Sequence, residues 1–252
     1  AMKRSYYIYN NGSLRRKDNT LTFTDENDDK RDLPIEQIND IYVMSEMTFN
    51  TSLINLLSQY GIPVHFFNYY SFYTGSFYPR EHLVSGNLLV SQVEHYTDHE
   101  KRMELAKAFI EGASYNIYRN LRYYNGRGKD VRSYMDAIED LRKQIPKAQS
   151  IQELMGYEGN IRKTYYSAWP IIIDQEIEFE KRVKNPPDNM VNTLISFVNT
   201  LIYTKVLGEI YQTQLNPTVS YLHEPGDRRF SLSLDLAEIF KPILGDRLIF
   251  SL

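Results

Sequence analysis

Between Tyr221 and Pro242 the chain sets one histidine, His223, in a loop and two carboxylates, Asp235 and Glu238, on the start of an apolar helix. Three positions separate the two acids, about 300° around a helix, so both look out on nearly the same side. The residues between Glu224 and Arg229 are enough to fold His223 back over that side. Upstream, Glu158 in Tyr157-Glu158-Gly159-Asn160 offers a further carboxylate. One imidazole with two or three carboxylates is a borderline-to-hard donor set, suited to Mg²⁺ or Mn²⁺ with positions open for water and phosphate. It matches structural zinc poorly, because zinc favours thiolates and the chain has no cysteine.

Each of these residues also has an ordinary reading. Acids in the first turn of a helix are favoured by the macrodipole, and a loop histidine needs only one hydrogen bond. The surroundings argue against solvation: Leu232, Leu234, Leu236, Ile239 and Phe240 flank the acids, so carboxylates on the buried edge must be paired or metal-bound. Arg228 and Arg229 are the obvious pairing alternative. Glu158 could pair with Arg162 four residues on, although Gly159 beside it suggests a close approach by another element. His95 and His99 also have ligand spacing, but Glu94, Asp98 and Glu100 mark that stretch as a charged surface face.

Cations surround the same elements: Arg162 and Lys163 after Glu158, Lys181, Arg182 and Lys184 before Pro186-Pro187, and Arg228, Arg229, Lys241 and Arg247 around the histidine loop. Runs like these flanking a metal site read as phosphate clamps. The formal net charge of −3 excludes a uniformly basic nucleic-acid coater but leaves room for a local basic groove. Zero cysteines removes disulfide and thiolate chemistry and fits a cytoplasmic setting. No secretory leader is legible at Met2-Lys3-Arg4, and no apolar run approaches the ~20 residues of a bilayer span, so no membrane is expected. The 21 tyrosines suit half-buried strands and interfaces.

The elements that must position these residues fall into two groups. Up to about residue 82 the pattern is β-rich: Tyr6 to Tyr9 and Leu14 to Lys17 flank Asn10-Asn11-Gly12, a hairpin signal. Leu21 to Thr24 and Asp40 to Met44 read as strands, Ser52 to Tyr60 as a short helix closed by Gly61, and Pro63 to Phe67 as a buried strand. From about Leu83 the period becomes helical. Asn87 to Tyr124 is too long for one helix without a bend; Asp130 to Lys143 and Ser150 to Lys181 follow, the latter with Pro170 inside it. Asp188 to Gln212 is the most apolar helix, and the last starts near Asp235. The expectation is an α+β chain: a β-rich domain over residues 1–82 and a larger all-helical domain over 83–252 that carries the metal site.

At these residues the sequence resembles the CRISPR-associated protein one family. Met155-Gly156-Tyr157-Glu158-Gly159-Asn160-Ile161-Arg162-Lys163-Thr164-Tyr165-Tyr166 is similar to the family's glutamate motif, and Lys181-Arg182-Val183-Lys184-Asn185-Pro186-Pro187-Asp188-Asn189 to its basic, Pro-Pro and asparagine segment. His223 with Asp235-Leu236-Ala237-Glu238-Ile239-Phe240-Lys241-Pro242 is similar to its histidine and aspartate motifs. The pattern around Asn11 to Arg16 and Phe77 to His82 looks like members found with type I-B systems. The resemblance implies a metal-dependent DNA endonuclease and integrase of CRISPR adaptation, which joins the 3′-hydroxyl of captured DNA to the repeat. It implies Glu158, His223 and Glu238 as catalytic metal ligands, with Asp235 supporting them, and Arg162, Lys163, Arg182, Lys184, Arg228, Arg229 and Lys241 toward double-stranded and branched DNA. It further implies a homodimer made through the β domains, bridged by CRISPR-associated protein two. Family members usually run on beyond the segment seen here as Asp246 to Phe250, so a chain shortened at its carboxy terminus is expected. The alternatives are a branched-DNA repair nuclease and a non-catalytic dimeric DNA-binding scaffold.

Overall fold

A computed structural model describes residues 2–80, 85–174, 190–226 and 230–252. The chain divides into two compact units, Ala1–His82 and Leu83–Leu252.

The first unit holds two four-stranded sheets. In one, β1 (Arg4–Ile8), β5 (Ile38–Val43) and β7 (Val64–Phe67) run parallel, and β8 (Tyr73–Phe77) closes the edge antiparallel to β7. The other is the meander β2 (Gly12–Lys17), β3 (Thr20–Asp25) and β4 (Lys30–Pro34), with the short β6 (Met47–Thr48) parallel to β2. Leu14, Leu21, Leu33, Ile41 and Val64 bury their alternate faces against Leu53, Leu56 and Leu57 of α1 (Thr51–Gln59). The helix is capped by Asn50, whose side chain accepts from the Leu53 N–H.

One expectation fails here. Asn10-Asn11-Gly12 does not turn a hairpin: β1 pairs with β5 in one sheet and β2 with β3 in the other. The segment is a crossover, held by the Glu46 N–H donating to Asn11 Oδ1 and the Gly12 N–H donating to the Glu46 carbonyl. Glycine is required at position 12 because a Cβ there would lie 2.1 Å from the Thr24 carbonyl oxygen. Backbone approach selects the residue, and turn type does not.

Among the described residues the regular elements of the second unit are all helical: α2 (Gly86–Thr97), α3 (His99–Gly126), α4 (Arg132–Gln144), α5 (Ile151–Ile173), α6 (Met190–Tyr211), α7 (Ser231–Phe240), a π-helical turn at Lys241–Asp246 and α8 (Arg247–Phe250), with the loop that carries His223 between α6 and α7. The expected bend in the long helical stretch is a break at Asp98, which ends α2 and caps α3 through its own side chain. His95 and His99 therefore sit on different helices, bonded to the Ser91 and Gln149 carbonyls respectively. Pro170 lies inside α5, and Asp174 ends that helix in the left-handed conformation. At 22 residues and mean hydropathy 1.3, α6 is long and apolar enough for a bilayer span by those two measures. It buries Ile195, Val198, Ile202, Leu207 and Ile210, and also Asn192 and Thr204, inside this unit. Trp169 is fully buried at the centre, edge-on to Tyr165, Tyr166 and Phe250; such rings dominate the energy of a core.

α7 begins at Ser231, four residues before Asp235. The two acids consequently stand beyond the first turn, and the macrodipole does not account for them.

Candidate active site

Glu158 and Glu238 are far apart in the sequence and meet on one guanidinium. In α5 the buried positions Leu154, Ile161, Tyr165, Ala168 and Trp169 fix one stripe against the core, and Glu158 stands at that stripe's edge one turn before Arg162. In α7, Leu232, Asp235 and Ala237 are buried, which turns Glu238 toward α5. Arg162 donates to Glu158 Oε1 and, at 2.6 Å, to Glu238 Oε2. Lys241 donates to the other Glu238 oxygen at 2.7 Å. The glutamate side chains are only 17% and 16% exposed, so these are partly desolvated charges.

Burial shapes their ionisation. The Glu158 carboxyl lies above the usual range because it is desolvated; Arg162 opposes this and Glu238 adds to it. Desolvation acts on Glu238 too, yet Lys241 and Arg162 together outweigh it and hold that carboxyl low. Burial disfavours the Arg162 charge, and the two glutamates more than restore it.

The pair opens into a cavity of about 240 Å³ lined also by Ser114, Ile117, Tyr166, Asn199 and Asp246. Asp246 was not a candidate from the sequence. Burial pushes it up to about 7, even though the Tyr165 hydroxyl donates a hydrogen bond to it. Behind it, Asn120 donates to the Tyr165 hydroxyl at 3.1 Å and to the Pro242 carbonyl at 2.8 Å. No local pattern announces Asp246; it is a lone acid in an apolar tail, and only the π-helical turn carries it inward.

The imidazole is held separately. Asp235 is fully buried, and its Oδ1 accepts from the His223 N–H at 2.9 Å and contacts His223 Nδ1 at 2.7 Å. Its Oδ2 accepts from the Tyr221 and Leu222 N–H groups at 2.6 and 3.0 Å. Asp235, expected as a supporting ligand, thus has both oxygens committed to shaping the histidine loop. Nε2 of His223 has no partner among the described residues.

Three further residues that sequence reasoning missed clamp this loop from α2 and α3. Gln92 grips the Asn216 backbone with two hydrogen bonds and accepts at its own carbonyl from the Tyr221 hydroxyl. Arg102 donates to the Tyr221 carbonyl and to Glu224, both at 2.8 Å, while Tyr96 donates to Glu224. Their distance along the chain from the loop leaves no signal in a single sequence.

Among the described residues, no group of three His, Cys, Asp or Glu side chains stands close enough to form a ready metal cage. The donor chemistry nonetheless fits a divalent cation. Two desolvated carboxylates face one another, and like charge helps raise Glu158; a hard cation relieves that repulsion. Of the expected DNA-binding residues, Arg162 and Lys241 are paired with the glutamates, and Lys163 is exposed on α5. Arg182, Lys184, Arg228 and Arg229 lie outside the described residues, and with the last two goes the pairing alternative expected for the acids.

The family described as CRISPR associated protein Cas1 matches residues 6–252. The CRISPR-associated endonuclease Cas1 of Fusobacterium nucleatum is 72% identical over 251 residues, covering all of this chain and 74% of that protein. A solved Cas1 protein from Thermotoga maritima superposes with a TM-score of 0.90 at 43% identity, covering 99% of this chain and 78% of its own. A casposase bound to integration product, 22% identical with a TM-score of 0.82 over 99% of this chain and 72% of its own, shares the fold. With the family's match spanning nearly every residue and the glutamate and histidine elements folded onto neighbouring positions, this chain belongs to the CRISPR associated protein Cas1 family of CRISPR-associated endonucleases.

Proposed function

We propose that this chain is a divalent-metal-dependent DNA endonuclease and strand-transfer integrase of CRISPR adaptation, joining the 3′-hydroxyl of captured DNA to the CRISPR repeat. The observation that carries this reading is the convergence of Glu158 and Glu238 on Arg162 in one cavity, in a chain 72% identical to a CRISPR-associated endonuclease. Glu158, Glu238 and the Nε2 of His223 would hold the cation, either Mg²⁺ or Mn²⁺. When bound, such an ion polarises a phosphodiester oxygen and acidifies an attacking hydroxyl.

The chain's own residues do the rest. Asp235 fixes the ring orientation of His223 and keeps Nδ1 occupied, leaving Nε2 as the donor nitrogen. Arg162 and Lys241 keep the two carboxylates together and place positive charge where a phosphate's negative charge would develop. Asp246, whose carboxyl burial pushes up to about 7, adds a proton-holding group on the cavity wall. Lys163, Arg182, Lys184, Arg228 and Arg229 would contact the DNA backbone. The β-rich unit would form the homodimer, and CRISPR-associated protein two would bridge two dimers in the cytoplasm of a prokaryotic cell.

Strand joining on a labelled branched DNA with Mn²⁺ tests the reading. Joined strands are expected from the native chain, and Glu238→Ala and His223→Ala should lose them by a factor of about a hundred or more with melting temperature little changed. Shortened strands without joined ones would indicate a repair-type nuclease. Retained joining in either variant would remove the assignment.

A further inference from the structure

The second half of α3 carries a face that the catalytic reading leaves unused. Residues 112–129 contain no acid and four cations, Arg119, Arg122, Arg127 and Lys129, in a chain whose net charge is −3. Tyr115, Arg119, Arg122 and Gly126 follow the i, i+4, i+7, i+11 spacing of one helical face and are all exposed, as are Tyr123 and Arg127 beside them. From Tyr115 to Arg127 the face runs about 18 Å.

The arginines are ordered against tyrosine rings. Arg119 and Arg142 both reach the Tyr115 ring, at 5.7 and 5.5 Å from its centroid. Arg127 lies 5.1 Å from the Tyr123 centroid and donates to that residue's hydroxyl at 2.8 Å. Arg247, exposed on α8, joins the face by donating to Asn120 at 2.8 Å. Among the described residues none of Arg119, Arg122, Arg127, Lys129 or Arg247 has a carboxylate within salt-bridge distance. On α4, Asp136 and Asp140 pair with Arg132 and Lys143 of their own helix, at 3.4 and 3.9 Å.

The same helix lines the cavity from its other side. Ala113, Ser114 and Ile117 border the space in front of Glu158 and Glu238, and Arg142 donates to Ser114 at 3.0 Å while reaching Tyr115. Asn116 donates to the carbonyl of Ile239, next to Glu238. The cationic face therefore begins one turn from the cavity wall.

We propose that this face of α3, extended by Arg247, is a nucleic-acid contact that grips the phosphodiester backbone of duplex DNA leading away from the cavity. Uncompensated arginines spaced along a rod fit a regular row of phosphates, whereas guanidinium groups already cover the tyrosine rings that could otherwise stack on bases. The contact is one of backbone and is indifferent to sequence. It rests on DNA being the substrate, but on none of the metal ligands.

The test is duplex binding in EDTA, where chemistry is silent, by fluorescence anisotropy across a range of salt. The triple variant Arg119→Gln, Arg122→Gln, Arg127→Gln should bind at least about tenfold more weakly, with the slope of log affinity against log salt shallower by about 1 for each phosphate left without its arginine. The corresponding triple lysine variant should recover most of both, and Glu238→Ala, which frees Lys241 and Arg162 from a carboxylate, should bind duplex at least as tightly as the native chain while losing strand joining. Unchanged affinity or an unchanged slope in the glutamine variant overturns the proposal. So does a glutamine variant that loses binding to anionic vesicles and keeps binding to DNA. Absence of joining in Glu238→Ala with normal duplex binding separates the two sites; retained joining there would sink the catalytic assignment and leave this one standing.

Discussion

The two halves of the site are built on opposite principles. His223 is fixed by a fully buried aspartate whose two oxygens make four contacts within one loop. The glutamates are held only by the tips of long side chains, Arg162 and Lys241, at the edge of a cavity. Short side chains bonded to backbone lose little on ordering and cannot shift without breaking the loop; long ion-paired ones can exchange partners. The imidazole half is thus preformed, and the carboxylate half is kept assembled by cations that another cation, or a phosphate, can displace.

The strongest way to break this contrast is Asp235→Ala. It strands three N–H groups, two of them buried, and frees the imidazole, so we expect a loss of about 3 kcal/mol or more, measured by urea unfolding. A cost near zero would mean the loop is held from elsewhere.

Asp246 sharpens the other half. Its folded value of about 7 stands above the ordinary 3.8, so the folded chain holds a proton there that the unfolded chain releases. Folded-state stability is then full below about pH 4 and declines as pH rises through 7, by on the order of 4 kcal/mol for this group. Glu238 acts with the opposite sign, its stability present at neutral pH and lost as pH falls through its lowered value. Asp246→Asn should flatten the decline between about pH 4 and 7 in thermal melts; an identical decline in the variant would assign it to other groups.

How far the sequence reveals this arrangement depends on the range of the interaction. The helices of the second unit follow from apolar periodicity, and their breaks from Asp98 and the residues around Gly126. Glu158, His223 and Glu238 stand out because each sits in a local motif. What local pattern cannot convey is pairing across distance. The Asn10-Asn11-Gly12 segment looks like a hairpin yet links two sheets, since its glycine answers to the Thr24 backbone. Asp235 and Glu238 look equivalent at a spacing of three, and only the packing of α7 turns one into the loop and the other into the cavity. Gln92, Arg102 and Asp246 act through contacts with no echo in spacing.

A smaller effect tests the loop's outer clamp. Arg102 is 13% exposed and Glu224 68%, so their ion pair is screened and the backbone bond to Tyr221 matters more. Arg102→Gln should cost about 1 kcal/mol and weaken Mn²⁺ binding several-fold, read by calorimetry. Mn²⁺ binding as tight as in the native chain would show that the clamp is dispensable for positioning His223.

Most direct of all is a Mn²⁺ titration followed by electron paramagnetic resonance on the native chain and on Glu158→Ala, Glu238→Ala and His223→Ala. Saturable binding is expected in the native chain, and each of the three substitutions should weaken it by about tenfold or more while the fold persists. Equal binding in all four proteins, or none in the native chain, would contradict a cation shared by these three residues.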